Sequence, residues 1–184
     1  TMLFMALVIN PIIIFIYLRC NPYPLVFRCL RESGLTAFFT RSSAANIPVN
    51  MAMCEKLGLD KDFYSVSIPL GATINMDGTA IYQCVATIFL ATCCGMTLTL
   101  GQMVTIVVTA TLASIGTAGT PGAGMIMLAM VLEAMNIPVD MIMIIYGIDR
   151  LFDMGRTCLN VTGDIACSLC VTKWESKKAA QTAK

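Results

Sequence analysis

Near its C-terminal end the chain carries an apolar run, from about Met141 to Val171, into which polar side chains are set at regular spacing. Asp149, Asp153, Arg156, Asn160 and Asp164 recur every three or four residues. On an α-helix, at about 100° per residue, they fall within an arc of roughly 80° and share one face. Met141, Ile144, Ile145, Leu151, Leu159 and Ile165 make the rest of the surface apolar. The run is long enough to cross a bilayer. A charge at that depth costs at least ~2.5 kcal/mol unless it is paired or faces a polar cavity. Carboxylates, an arginine and an amide on one face of a membrane helix therefore describe a site for charged ligands.

Composition sets the environment. The 184 residues are 57% hydrophobic and 12% charged, with a mean hydropathy of +0.78. Soluble domains carry about 25% charged residues, so the chain reads as an all-α integral membrane protein. Nine cysteines and no histidine argue against histidine-based metal or nucleophile chemistry. The Ser42-Ser43 pair has no evident base, so no enzyme is expected. Cys167-x-x-Cys170 lies in the apolar end of the last helix, Cys93 and Cys94 are adjacent, and no second pair stands at metal-ligand spacing. Such thiols behave as small hydrophobes. Thr1 opens straight into an apolar helix, with no basic region or cleavage site. That abrupt start predicts a piece of a longer chain.

Taken in order, 2–19 reads as a first membrane helix, closed by Arg19 and the turn Asn21–Pro24. Residues 30–56 form a helical hairpin too polar and too broken to span, with Thr40–Ser43, Asn46, Pro48 and Asn50 at its centre. Residues 63–94 are a long apolar helix interrupted at Asn75–Thr79, and 102–135 a second hairpin turning at Gly116–Gly124. Asn136–Asp140 is a loop in which Asp140 would cap the last helix, 139–172. The polar tail, 173–184, is expected to be disordered.

The basic residues orient these segments. Arg19, Arg28 and Arg31 precede the first hairpin and Lys56 and Lys61 follow it, so both its flanks are cytoplasmic. The loops at 95–102 and 136–140 carry no Lys or Arg and fall outside. The tail, with Lys173, Lys177, Lys178 and Lys184, returns to the cytoplasm. The architecture expected is three transmembrane helices, one of them broken, plus two opposed re-entrant hairpins. Non-helical backbone at membrane depth survives only where protein or a polar cavity satisfies it. Freed helix N-termini favour anions, and freed carbonyls favour sodium ions. Two hairpin tips meeting from opposite sides are what alternating access needs, each closing one side.

The strings T-R-S-S (Thr40–Ser43), N-M-D-G-T (Asn75–Thr79), S-I-G-T-A-G-T-P-G-A-G (Ser114–Gly124) and D-M-G-R-T-x-x-N-V-T-G-D (Asp153–Asp164) resemble the glutamate/aspartate transporters, the dicarboxylate/amino acid:cation symporters. The resemblance runs nearly the whole length in motif order. It implies the C-terminal, substrate-binding part of the transport domain: sixth helix, first hairpin, broken seventh helix, second hairpin and eighth helix. The scaffold through which family members form homotrimers is absent from the chain. Transport domains of this kind move across the membrane like elevators.

The resemblance also assigns roles. Arg156 would hold the substrate's side-chain carboxylate, since a guanidinium suits bidentate recognition. Asp153 would take the α-amino group, Asn160 and Thr157 the α-carboxylate region, and Thr79 would lie beside the side-chain carboxylate. Arg41, Ser42 and Ser43 at the first tip, and Thr120 to Gly124 at the second, would close over the ligand, with Arg41 paired to a carboxylate of the last helix. One co-transported sodium would take carbonyls of Gly71, Asn75 and Asn160 with the Asp164 carboxylate. A second would take carbonyls of Thr73, Ser114, Ile115 and Thr117. A third would use the Asn75 and Asp77 side chains, with ligands from the absent region. Ser42-Ser43-Ala44 replaces a common triple serine and Thr120 a common apolar residue, and either would retune selectivity. Relatives that carry neutral amino acids lack the arginine at position 156.

The expected function is thus sodium-coupled uptake of aspartate or glutamate across the inner membrane of a cell. No nucleic acid is expected as a partner. A proton-coupled C4-dicarboxylate carrier, a neutral amino acid carrier and an ion channel are the alternatives.

Overall fold

The computed structural model describes the backbone of residues 1–182 and the side chains through Ser176. Every regular element among the described residues is helical. Helix α1 is built from three consecutive stretches, Met2–Phe4, Met5–Ile9 in π form and Asn10–Leu18. It stops at Arg19, whose φ of 54° is left-handed. Helix α2 likewise joins Tyr23–Cys29, a π turn Leu30–Gly34 and Leu35–Thr40. Arg41, at φ 55°, ends it. After the tip, Pro48 sits in the first turn of α3, Ile47–Lys56, where its missing N–H costs nothing.

Helix α4, Lys61–Ile74, is capped by the Asp60 carboxylate, which accepts from the Asp62 N–H. Asn75 and Met76 break it from α5, Asp77–Cys93. Helix α6, Leu100–Ile115, opens on a capping box, the Thr99 hydroxyl and Gln102 amide each bonding the other's backbone. The second tip follows, and α7, Ala123–Ala134, leads through a 3₁₀ turn, Val139–Ile142, into α8, Met143–Thr182.

Helix α8 is the axis, with α1 to α5 packed on it and the second hairpin, α6 and α7, packed on α5. Two apolar clusters grip it. One gathers Met53, Cys54, Tyr64 and Ile68 around Ile165 and Leu169. The other gathers Tyr82, Leu90, Leu128 and Leu132 around Ile145. The polar residues 149–164 lie between these anchors. Much of the outer surface is apolar: Leu100, Val104, Val107, Val108 and Leu112 on α6 are all exposed.

Two expectations need correcting. Asp140 caps nothing: it lies inside the 3₁₀ turn, which Pro138 opens without any side-chain cap. The tail is not disordered through its described part, because α8 continues to Thr182. Lys, Glu and Ala are good helix formers, and the Thr172 and Ser176 hydroxyls bond back to carbonyls one turn earlier. Residues 183–184 of that tail lie outside the described residues. Among the described residues no helix is long and apolar enough to cross a membrane. Helix α1 is divided by its π stretch, α4 and α5 are parted by a break, and α8 has the length but carries the charged face.

Candidate functional site

The chemistry gathers where both hairpin tips and the α4–α5 break meet the middle of α8. Asp149, Asp153, Arg156, Asn160 and Asp164 are all buried there. Arg156, 2% exposed, is one of the largest fully buried side chains. Its Nε donates to Asp153 Oδ1 at 3.0 Å and Nη1 to Asp149 Oδ1 at 3.4 Å. Nη2 stands 2.9 Å from Asp153 Oδ1 but makes no hydrogen bond. The guanidinium lies over the Tyr82 ring, 4.4 Å from its centroid, a favourable cation–π geometry.

The tips close on this group. The backbone N–H of Gly122 donates to Asp153 Oδ2 at 3.2 Å, and Arg41 Nη1 lies 3.9 Å from the same oxygen. A Cβ on Gly124 would stand 2.6 Å from Arg156 Cζ, so only glycine lets the second hairpin lie against the guanidinium. The tips also bond each other: the Ala44 N–H and the Ser42 hydroxyl both donate to the Gly119 carbonyl, at 3.1 and 2.7 Å. Together they enclose a cavity of about 20 Å³, room for roughly one water.

Of the candidate ligand-binding residues, Arg41, Ser43, Thr79, Thr120, Gly124, Asp153, Arg156, Thr157 and Asn160 line this cavity. Ser42 does not: its hydroxyl is spent on Gly119 and on the Ala45 N–H. The cavity also takes in Met76, whose sulfur accepts from Asn160 Nδ2 at 3.1 Å. Met76 is not among the residues the sequence assigns to the site. Its place in the middle of a helix break was the available signal.

The candidate sodium ligands divide into two groups. Asn75 Nδ2 bridges Asp164 Oδ1, at 2.9 Å, and the Asn160 carbonyl, at 3.4 Å. Gly71 packs so closely that a Cβ there would strike the Asp164 carboxylate. Four of the named ligands therefore meet, with an amide N–H lying between two oxygens. Thr73, Ser114, Ile115 and Thr117 lie at the ends of α4 and α6. Ser114 and Thr117 are buried and Thr73 and Ile115 exposed. The second tip reaches this region, since a Cβ on Gly119 would stand 3.0 Å from the Ala72 carbonyl. Asp77 is half-buried in the first turn of α5. Among the described residues no cluster of three or more acidic, thiol or imidazole groups could hold a metal. The oxygens on offer are carbonyls, amides and single carboxylates, a hard donor set suited to a monovalent ion.

Comparison with known proteins identifies the family. The family model of the sodium:dicarboxylate symporters matches residues 1–174, and the chain belongs to that family. It is therefore part of a membrane transport protein, not an enzyme. The serine/threonine transporter SstT of Bifidobacterium adolescentis is 50% identical over 169 residues, covering 90% of this chain and 39% of that protein. The chain thus spans about two-fifths of the length of the curated relative it matches.

Proposed function

We propose that the chain is the ligand-binding part of a sodium-coupled symporter that takes up aspartate or glutamate. The observation that carries this reading is Arg156: a buried guanidinium between two carboxylates, with Nη2 left without a hydrogen bond inside the cavity. A carboxylate arriving there would satisfy that donor and relieve Asp153, which then accepts the substrate's amino group. A buried donor without an acceptor costs about 1–3 kcal/mol, so the ligand-free site favours an anion. Sodium supports the reading from the other side. An ion at the Asn75 bridge would replace an N–H between two oxygens while offsetting the burial of Asp164.

The same reading takes α1, α4–α5 and α8 as three crossings of the cell membrane. The pairs α2–α3 and α6–α7 are hairpins entering from the cytoplasm and the exterior, and the C-terminus is cytoplasmic. The apolar exterior and polar interior favour that arrangement. Transport then proceeds by elevator-type alternating access within a homotrimer held by a scaffold outside this chain.

The relative's name favours a second reading, uptake of serine and threonine. Thr79, Thr120 and Thr157 could bond a hydroxyl, and Asp149 and Asp153 would then keep Arg156 neutralised.

The deciding experiment is uptake of radiolabelled aspartate by the full-length protein in proteoliposomes, with and without a sodium gradient, beside Arg156→Ala. Loss of a buried bidentate pair costs several kcal/mol, on the order of a thousandfold in affinity. The acidic reading requires sodium-driven uptake that unlabelled serine does not compete and that Arg156→Ala abolishes. Competition by serine and threonine but not by aspartate selects the second reading.

A further inference from the structure

Arg150 has no role in the site so far described. It follows Asp149 on α8 but points off the polar face, is exposed, and makes no hydrogen bond or ion pair among the described residues. An unpartnered arginine on a membrane helix is costly unless it meets water or an anion. Arg150 lines a half-open cavity of about 360 Å³ beside the second tip. Tyr146, Asp149, Arg150 and Asp153 of α8 line it together with Arg41, Met125 and the Pro121–Gly122 turn.

This chamber differs from the inner one in size and charge. The inner space, about 20 Å³, is too small for an amino acid, whereas the other, about 360 Å³, has room for one. Arg41 and Asp153 line both, so the two cavities adjoin at these side chains. Asp149 and Asp153 are matched by Arg156 and Arg41. Arg150 is the charge left over, which makes the cluster positive by one. An aspartate or glutamate, negative by one, balances it, and serine, whose charges cancel, does not.

We propose that Arg150, with Arg41, forms an outer subsite where the carboxylate of an acidic amino acid docks before the second tip lifts and admits it to Arg156. This rests on the acidic reading given above. The subsite raises the local concentration of anionic substrate and biases the carrier against neutral amino acids, without contacting the fully bound ligand.

The test is uptake kinetics of the full-length protein in proteoliposomes for Arg150→Gln and Arg150→Lys, at fixed sodium with ionic strength varied by choline chloride. Charge focusing of this kind is worth on the order of tenfold or more. Arg150→Gln should raise KM for aspartate about tenfold at low ionic strength, leave the maximal rate unchanged, and lose its effect as salt rises. Arg150→Lys should restore most of the loss, and unchanged melting temperatures would exclude a folding defect. An unchanged aspartate KM in Arg150→Gln overturns the subsite alone. A loss that tracks the anionic lipid content of the vesicles, and is equal for serine, assigns Arg150 to lipid phosphate and also overturns it. Serine uptake without aspartate uptake by the unsubstituted protein overturns the acidic reading, and the subsite with it.

Discussion

Glycine at three positions is what lets backbone and tips reach the polar face of α8. At Gly78 a Cβ would stand 2.6 Å from the Arg156 carbonyl, and at Gly124 2.6 Å from the Arg156 guanidinium carbon. The obstacles differ in kind. The first is helix backbone and cannot move alone, so Gly78→Ala should force α5 from α8 and cost about 1–3 kcal/mol, read as a lower melting temperature. The second is the end of a flexible side chain. Gly124→Ala should therefore keep the fold but displace the guanidinium, weakening substrate affinity while melting is unchanged. Gly71→Ala puts its methyl on the Asp164 carboxylate. The expected outcome is a higher sodium concentration for half-maximal uptake, with the substrate KM at saturating sodium much less affected. The shared face of α8 was legible from spacing alone, because a helix imposes its period on whatever it carries. Met76 and the spent Ser42 hydroxyl were not, since a thioether acceptor and a tip-to-tip bond depend on which stretches of backbone meet in space.

At the level of elements, the breaks were readable wherever residue chemistry interrupts a helix. The Gly and Pro cluster at 116–124 and the Asn at 75 mark interruptions that the backbone makes at the same places. The π stretches in α1 and α2 left no comparable signal, because they contain residues that an ordinary helix accepts. The base of the first hairpin is tied by Glu32, which accepts from Lys56 at 2.8 Å and from Arg28 at 3.0 Å. Those two bonds, Lys56 first, hold the Glu32 carboxyl below its ordinary range. A lowered carboxylate stabilises above its unfolded pKa, and the contribution disappears as pH falls through the folded value. The ties are exposed and individually weak. Acidification below the usual carboxylate range should lower the melting temperature slightly, and Glu32→Gln should lower it at neutral pH while flattening that acid dependence.

Across the whole molecule, the proposed orientation rests on where the cations lie. With Lys173 on the last described turns of α8 and the loop at 95–99 uncharged, the full-length protein should be cut by trypsin beyond position 172 only from the cytoplasmic side. A cysteine-reactive, membrane-impermeant label at Cys94, near the 95–99 loop, should react only from the exterior. Sealed vesicles of known orientation test both, and labelling of Cys94 from the cytoplasmic side would invert the topology. The same molecule carries a simpler constraint at its centre. Ala44 from one tip and Ser42 beside it both hold the single carbonyl of Gly119 on the other. If the tips are the two barriers of the proposed carrier, they share one bolt: whichever swings first must draw it for both. In that proposed carrier, a path to the cavity from either side of the membrane would begin by breaking the same two bonds.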